Sequence, residues 1–298
     1  MLKKNIIYLM TILALLMVSN NVYANAGMAF LRIGAGARAA GMGEAYLGAA
    51  NDASAAFWNP AGLAHGTNIE VAFAHNQWIQ DINHEFFSVA FQKGNHHFAL
   101  SFISLNVDGI ERRTKASTLP IGEIASHDVA LGLSYARNIS DNLQIGVTAK
   151  YLYERIYIES TYGFAADLGV QYQLNFMPGL TIGATAQNIG ATSELKEESI
   201  KLPASFKIGA AYQIINNSLL AAVDVVQIQD YDMHVNLGAE YVIKNVLALR
   251  GGYQIGWDEK DLSAGFGVQF SRYKMEYAYT PFSSNLGNSQ RIAISLKL

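Results

Sequence analysis

The sequence predicts an all-β protein: a transmembrane antiparallel β-barrel of about 14 strands with an N-terminal lumen plug. Three observations predict it. The N-terminus carries an export signal, most of the chain alternates apolar with small or polar residues, and one Gly/Ala-rich stretch between the two does not alternate. Of 298 residues, 51% are hydrophobic and only 15% charged, which argues against a disordered chain. The absence of cysteine excludes a disulfide scaffold, a thiolate metal site and a lipoprotein anchor. Formal charge is −3, and without Lys3 and Lys4 it is −5, from 19 basic against 24 acidic residues. No basic field for nucleic acid is available.

Residues 1–26 read as a signal peptide. Lys3 and Lys4 form a positive start, Ile6 to Val18 is an apolar run, and small residues follow at cleavage spacing. The run falls short of the roughly 20 residues a transmembrane helix needs. Two cut sites remain open, after Ala24 and after Ala26. The mature chain then divides into a plug or hatch segment over 27–66 and a barrel over 67–298.

From Ile69 onward the period is two. In His127–Arg137, Val129, Leu131, Leu133 and Tyr135 share one face, while Asp128, Ala130, Gly132 and Ser134 share the other. Leu143–Arg155 and Tyr162–Leu174 repeat the pattern, and Leu219–Gln229 alternates poorly. A soluble sandwich would turn Lys and Glu to water on its second face. Here that face is mostly Gly, Ala, Ser, Thr and Gln, which suits a barrel with lipid outside and packed side chains within. Closure removes sheet edges, whose unpaired backbone groups would each cost several kcal/mol in hydrocarbon. Tyr near run ends, as at Tyr151, Tyr153, Tyr172, Tyr253, Tyr277 and Tyr279, suits interfacial girdles.

The expected strands are Ile69–Trp78, Glu85–Gln92, His96–Val107, His127–Arg137, Leu143–Arg155, Tyr162–Leu174 and Leu180–Ile189. They continue with Ala204–Ile214, Leu219–Gln229, Met233–Ile243, Val246–Gly256, Leu262–Ser271, Tyr273–Thr280 and Gln290–Leu298. Alternate linkers are short, such as Lys93-Gly94-Asn95 and Lys244-Asn245, and the long ones, Asp108–Ser126, Gly190–Pro203 and Pro281–Ser289, all fall in the other set. Short periplasmic turns and longer outer loops sort this way. Both termini then lie on the periplasmic side, with the charged stretches Glu111-Arg112-Arg113 and Glu194–Lys201 outside the cell.

The segment before the barrel holds the densest motif. It contains Arg32, Gly34, Gly36, Arg38, Gly41 and Gly43, then Asn51 and Asp52, then Asn59, Pro60 and Gly62. Gly34-x-Gly36-x-x-Ala39 mimics a dinucleotide fingerprint but lacks the strand and crossover that motif needs. Small residues let backbones approach closely, so the reading is an insert that fills the bore, with capping chemistry at Asp52–Ser54 and a turn at Asn59-Pro60.

Phe30-Leu31-Arg32-Ile33-Gly34-x-Gly36-Ala37-Arg38-x-x-Gly41-Met42-Gly43-x-Ala45, followed by Asn51–Ala55 and Trp58-Asn59-Pro60-Ala61-Gly62-Leu63, resembles the N-terminal signature of the PorV/PorQ family. The Asn-Pro-Ala-Gly-Leu element is also similar to the wider FadL-like transporter superfamily. The motif match covers about residues 29–64; beyond it the likeness is architectural. The resemblance implies an outer-membrane barrel of a Gram-negative-type bacterium that works with a type IX-like protein secretion or surface-attachment apparatus. Its partners would be outer-membrane lipid and secretion-apparatus or cargo proteins. The alternative it implies is a FadL-like channel for hydrophobic small molecules such as long-chain fatty acids.

Candidate chemistry is sparse, and neither an enzyme nor a cofactor is expected. A hydrolase needs a nucleophile, a base and an orienting group together, and only His127 and His234, on expected lumen faces, offer a base near the membrane interior. Adjacent His96 and His97 point to opposite faces and cannot share a metal. More telling are lumen-facing charges of both signs: Lys150, Glu154, Asp167, Lys207, Asp224, Glu240, Arg250, Lys274 and Glu276, with Arg291 and Lys297. A mixed set suits a bracing network around a plug, with Arg32 and Arg38 as partners for Asp167, Asp224 or Glu240. A channel would further need an apolar pocket, expected near Phe30, Leu31, Met42 and Phe57.

Overall fold

Alternating apolar residues become strands because each inward small residue can approach the bore while its outward neighbour meets lipid. The computed structural model describes residues 27–66, 68–116, 118–195, 200–215 and 218–298; the signal segment expected over 1–26 lies outside them. Fourteen strands are described: β1 Ile69–Gln77, β2 Asn83–Lys93, β3 His96–Arg112, β4 Gly122–Ser140, β5 Leu143–Ile156, β6 Glu159–Gln173 and β7 Leu180–Thr192. The second half comprises β8 Ser205–Ile215, β9 Leu219–Ile228, β10 Met233–Ile243, β11 Leu247–Ile255, β12 Leu262–Phe270, β13 Tyr273–Pro281 and β14 Asn288–Lys297. Each pairs antiparallel with its sequence neighbours, and β1 pairs with β14 from Glu70 opposite Lys297 to Gln77 opposite Gln290. The sheet is therefore a closed barrel with no edge.

The faces follow the parity of the sequence. On β4, Leu131 and Leu133 are exposed on the outside while Asp128, Ser134 and Ala136 are buried within. Outward Tyr153 and Tyr162 lie opposite one another on β5 and β6, level with Val129, and Tyr135 marks the other rim, near Phe98 and His96. His127 shares the parity of Val129, so its expected lumen placement is corrected: it is exposed on the outer face, where Nδ1 meets Asn106 Oδ1 at 2.8 Å. His97 is buried and His96 exposed, on opposite faces.

The hairpin arms are longer than alternation indicated. After a register shift between Val107 and Ile110, the β3–β4 ladder resumes through Ile110–Ile124 to Arg112–Gly122. Much of the expected 108–126 loop is thus strand, and Glu111 and Arg112 lie in β3. Alternation misses these residues because both faces meet water once a strand leaves the bilayer, and contrast between them fades. With 17 and 19 residues against the roughly 9–11 needed to span, β3 and β4 project past the membrane. Part of the charged 194–201 stretch lies outside the described residues. The weak alternation of β9 also has a cause. Its inward Val226 and Ile228 are buried beside Leu31 and Phe57 of the N-terminal segment, so that part of the face is apolar too.

Residues 27–66 lie within the barrel as short elements: a 3₁₀ turn Ala29–Arg32, helices Ala37–Gly41 and Ala55–Trp58, and a 3₁₀ turn Pro60–His65. Wall glycines make the approach possible. A Cβ on Gly146 or Gly169 would overlap Asn59-Pro60-Ala61, and one on Gly252 would overlap Gly43.

A charge on the outer face tests the lipid contact. Leu133→Lys, between the two aromatic rims, is expected to destabilise the folded barrel by about 2–4 kcal/mol in lipid vesicles. A denaturant titration followed by heat-modifiable migration measures it, and an unchanged midpoint would place Leu133 away from hydrocarbon.

Candidate functional site

Elements of four to six residues satisfy few of their own backbone groups, because the first N–H and last C=O groups of any helix lack internal partners. Inward wall side chains supply them here. Asp224 Oδ2 accepts from the Tyr46 and Leu47 amides at 2.7 and 3.0 Å. Gln171 Nε2 donates to the carbonyls of Leu47 and Ala50, and Gln187 Nε2 to those of Phe57 and Trp58. Asn59 bridges the segment to the wall, donating from Nδ2 to Leu47 O and Val170 O while its Oδ1 accepts from the Ala61 amide. The Gly43 amide donates to Ser263 Oγ at 3.0 Å. Pro60 lies on Gly146 and Gly169, Gly62 under Ala50, Gly41 against Gly265, and Gly34 against Trp58 and Glu44. Gly36, with φ of 81°, turns the chain into the helix Ala37–Gly41.

Arg38 is the electrostatic hub at the short-turn end. Its guanidinium grips Glu240 with two bonds, Nε to Oε2 at 2.9 Å and Nη2 to Oε1 at 2.8 Å. Its Nη1 donates to Tyr46 Oη and Asn51 Oδ1 and lies 3.7 Å from Asp52. The network continues along the wall: Arg250 reaches Glu240 at 2.7 Å and Glu276 at 2.8 Å, and Lys274 reaches Glu276 at 2.8 Å. Seven expected charges and motif residues thus converge. The others do not. Lys150 pairs with Asp167 at 2.7 Å and donates to Asn188 Oδ1, at the register shift between β6 and β7. Asp224 holds backbone amides, Lys207 sits over the Trp58 ring, and Glu154 accepts the Met28 amide. Arg32 lies over the Tyr231 ring, 4.5 Å from its centroid, rather than against a carboxylate. Lys297 is more than half exposed, 3.8 Å from Glu70.

A second cluster, at the long-loop end, escaped the motif reading. Glu44 accepts from Lys260 Nζ at 3.1 Å and lies 3.5 Å from Arg291. Lys260 sits 4.3 Å above the Trp257 ring, which stacks on His234 at 4.0 Å. Lys260 belongs to the 256–261 connection, so the cluster ties that loop to the inserted segment. A lone acid amid Gly and Ala was the available signal. Burial pushes the Glu44 carboxyl up, but Lys260 and Arg291 outweigh it and hold it below the ordinary carboxylate value. Asp52 is likewise pushed up by burial and held lower by Lys274 and Arg38.

Of the residues expected to line an apolar pocket, Leu31 and Phe57 meet, with Trp58, Val226 and Ile228, at a cavity of about 30 Å³. Phe30 and Met42 are buried elsewhere; Met42 packs on Gly238 and Gly252. The rest of the lining is largely polar, with the charged Arg32, Glu44, Lys207 and Asp224 beside Asn188, Ser205 and Asn236. Two larger recesses, about 220 and 280 Å³, open near the short turns and share Arg38 and Asn51.

Residues 18–298 match the profile of the uncharacterised protein family UPF0164. The chain belongs to this family. A UPF0164 protein of Treponema pallidum (strain Nichols) is 29% identical over 176 residues, which are 55% of this chain and 44% of the relative. The chain therefore matches less than half the length of that curated relative. Among solved structures, the UPF0164 chain superposes on the Ralstonia pickettii toluene transporter TbuX with a TM-score of 0.66 at 14% identity, covering 89% of this chain and 98% of that one. The Pseudomonas putida toluene transporter TodX gives 0.65 at 13% identity, over 93% and 98%. A Pseudomonas aeruginosa FadL homologue gives 0.55 at 12%, over 92% and 98%. At such identities the likeness is one of fold, that of the FadL-like barrels.

Two outcomes follow from the charge geometry. Arg38→Glu sets three carboxylates together and is expected to cost roughly 3–5 kcal/mol, the range for breaking a buried pair; adding Glu240→Arg recovers part of it, read as the temperature at which heat-modifiable migration is lost. No recovery would show that the two residues act separately. Because the Glu44 and Asp52 values are depressed, their contribution is full above the ordinary carboxylate pKa and is lost as pH falls through the lower values. The difference in thermal stability between wild type and Glu44→Gln should therefore be constant from neutral to about pH 5 and narrow below about pH 4.

Proposed function

We propose that this barrel passes hydrophobic small molecules across the outer membrane and that residues 27–66 act as a plug whose displacement opens the bore. The observation that carries the reading is a cavity with one apolar side, formed by Leu31, Phe57 and Trp58 of the segment with Val226 and Ile228 of the wall. The fold shared with the toluene transporters TbuX and TodX supports it. At about 30 Å³ the cavity has space for a water or two, not for a toluene-sized molecule. Transport then requires the segment to shift, and the glycine contacts and side-chain clamps that seat it define what must be released. Water-accessible recesses near the short turns would receive a molecule after it passes the segment.

A second reading, a protein-interaction barrel of the PorV/PorQ type, is favoured by one observation. The projecting β3–β6 arms carry exposed Ile110, Ile121, Ile156 and Ile158 beyond the membrane, where apolar surface has no lipid to meet.

Proteoliposomes loaded with an aromatic-responsive dye distinguish the readings. Uptake of toluene or of a long-chain fatty acid above the protein-free rate is expected, and Leu31→Trp, which fills the cavity, should reduce it about tenfold without altering assembly. Background uptake of both probes by correctly folded protein would overturn the channel reading.

A further inference from the structure

Asp128 and Glu154 lie opposite one another on β4 and β5, near the long-loop mouth. Both turn inward and are buried, at 5% and 7% exposure. Among the described residues, neither has a Lys or Arg within ion-pair distance. Among the same residues, Glu154 accepts the Met28 amide, at 3.3 and 3.4 Å to its two oxygens, and Asp128 the Ser126 hydroxyl at 3.5 Å. Other carboxylates facing the inserted segment are better supplied. Glu240 has two arginines, Glu44 has Lys260 and Arg291, and Asp224 holds two amides. Adjacent buried carboxylates without a cation repel one another and lose hydration.

The inserted segment reaches this pair at Met28, whose amide donates to Glu154 one residue after Gly27. Met28 is wholly buried with a left-handed φ of 52°. The Gly27 amide donates to the Lys201 carbonyl at 3.1 Å, and the Ile200 side chain leaves no space for a Cβ at position 27. A peptide nitrogen at Gly27 has one proton, already used; an α-ammonium there would have three, and would bring a full positive charge.

We infer that export processing cuts between Ala26 and Gly27, and that the new Gly27 α-ammonium is the counter-ion of the Asp128–Glu154 pair. Hydrolysis adds water across the bond: oxygen joins the Ala26 carbonyl, which departs with the signal segment as a carboxylate, and the Gly27 nitrogen takes up protons to become an ammonium. Small residues at Ala24 and Ala26 give this cut the spacing an export peptidase reads. The cut precedes folding, so the later burial of Gly27 is no obstacle. Cleavage after Ala24 would instead set the charge two residues upstream, up to about 7 Å further along the chain. The mature chain thus starts at the long-loop mouth, runs down the bore and leaves as β1 at the short-turn end.

N-terminal sequencing and intact mass of the full-length protein recovered from outer membranes should give Gly27 as the first residue; a chain beginning at Asn25 overturns the assignment. Brief acetylation of the folded protein near neutral pH, read on the N-terminal peptide, should modify Gly27 at least about tenfold more slowly than in heat-unfolded protein. Asp128→Asn with Glu154→Gln should restore fast labelling in the folded barrel. If the double variant does not assemble, Glu154→Gln alone should give an intermediate rate. Equal labelling of folded and unfolded wild type, or labelling of an assembled variant as slow as wild type, overturns the ion pair.

Discussion

Backbone polar groups inside a membrane barrel have nowhere to go but to protein, and this requirement governs both layers of the molecule. In the wall it is met by the ladder, completed where β1 joins β14. In the bore it is harder to meet, because residues 27–66 form only short turns and short helices. Their amides and carbonyls are taken up by Asp224, Gln171, Gln187, Asn59 and Ser263, each a polar side chain where lipid would tolerate none. The inward face of the barrel is thus a set of fitted partners rather than a generic polar lining.

Charge serves the same fit. Burying an ion is expensive unless an opposite charge and hydrogen bonds compensate it. Arg38 meets that condition with a two-bond grip on Glu240 and neutral acceptors at Tyr46 and Asn51. Because Glu240 also takes Arg250, the inserted helix Ala37–Gly41 is coupled to β10 and, through Arg250 and Glu276, to β13. At the opposite mouth Lys260 couples a loop to Glu44. Small side chains make both clamps possible, since Gly43 rests on Gly252 with no room for a Cβ and Gly41 packs tightly on Gly265. The segment is held by one clamp facing each mouth of the bore, at Arg38 and at Glu44, and is sterically keyed between them.

The wall was legible because its pattern is local. An alternation of two fixes which side chain meets lipid, and it survives wherever one face is greasy and the other is not. It failed where that contrast fails: in the β3–β4 arms beyond the bilayer, and in β9, whose inward Val226 and Ile228 meet apolar Leu31 and Phe57. His127 was misplaced although its parity with Val129 was already in the sequence. The inner face was legible only as composition. Its charges could be enumerated, yet Lys150 found Asp167 on the neighbouring strand, Arg32 found an aromatic ring, and Glu44 and Lys260 stood outside every motif.

The sequence by itself determined an antiparallel cylinder of about 14 strands and a small-residue stretch unsuited to its wall, since both follow from side-chain size and polarity within a few neighbouring residues. Only the tertiary structure decided which charges touch. Arg38 and Glu240 are 202 positions apart, and their meeting depends on strand register and on the path of the segment through the bore. Ion pairs act over a few ångströms in space, and no local period records which distant residues closure brings that near.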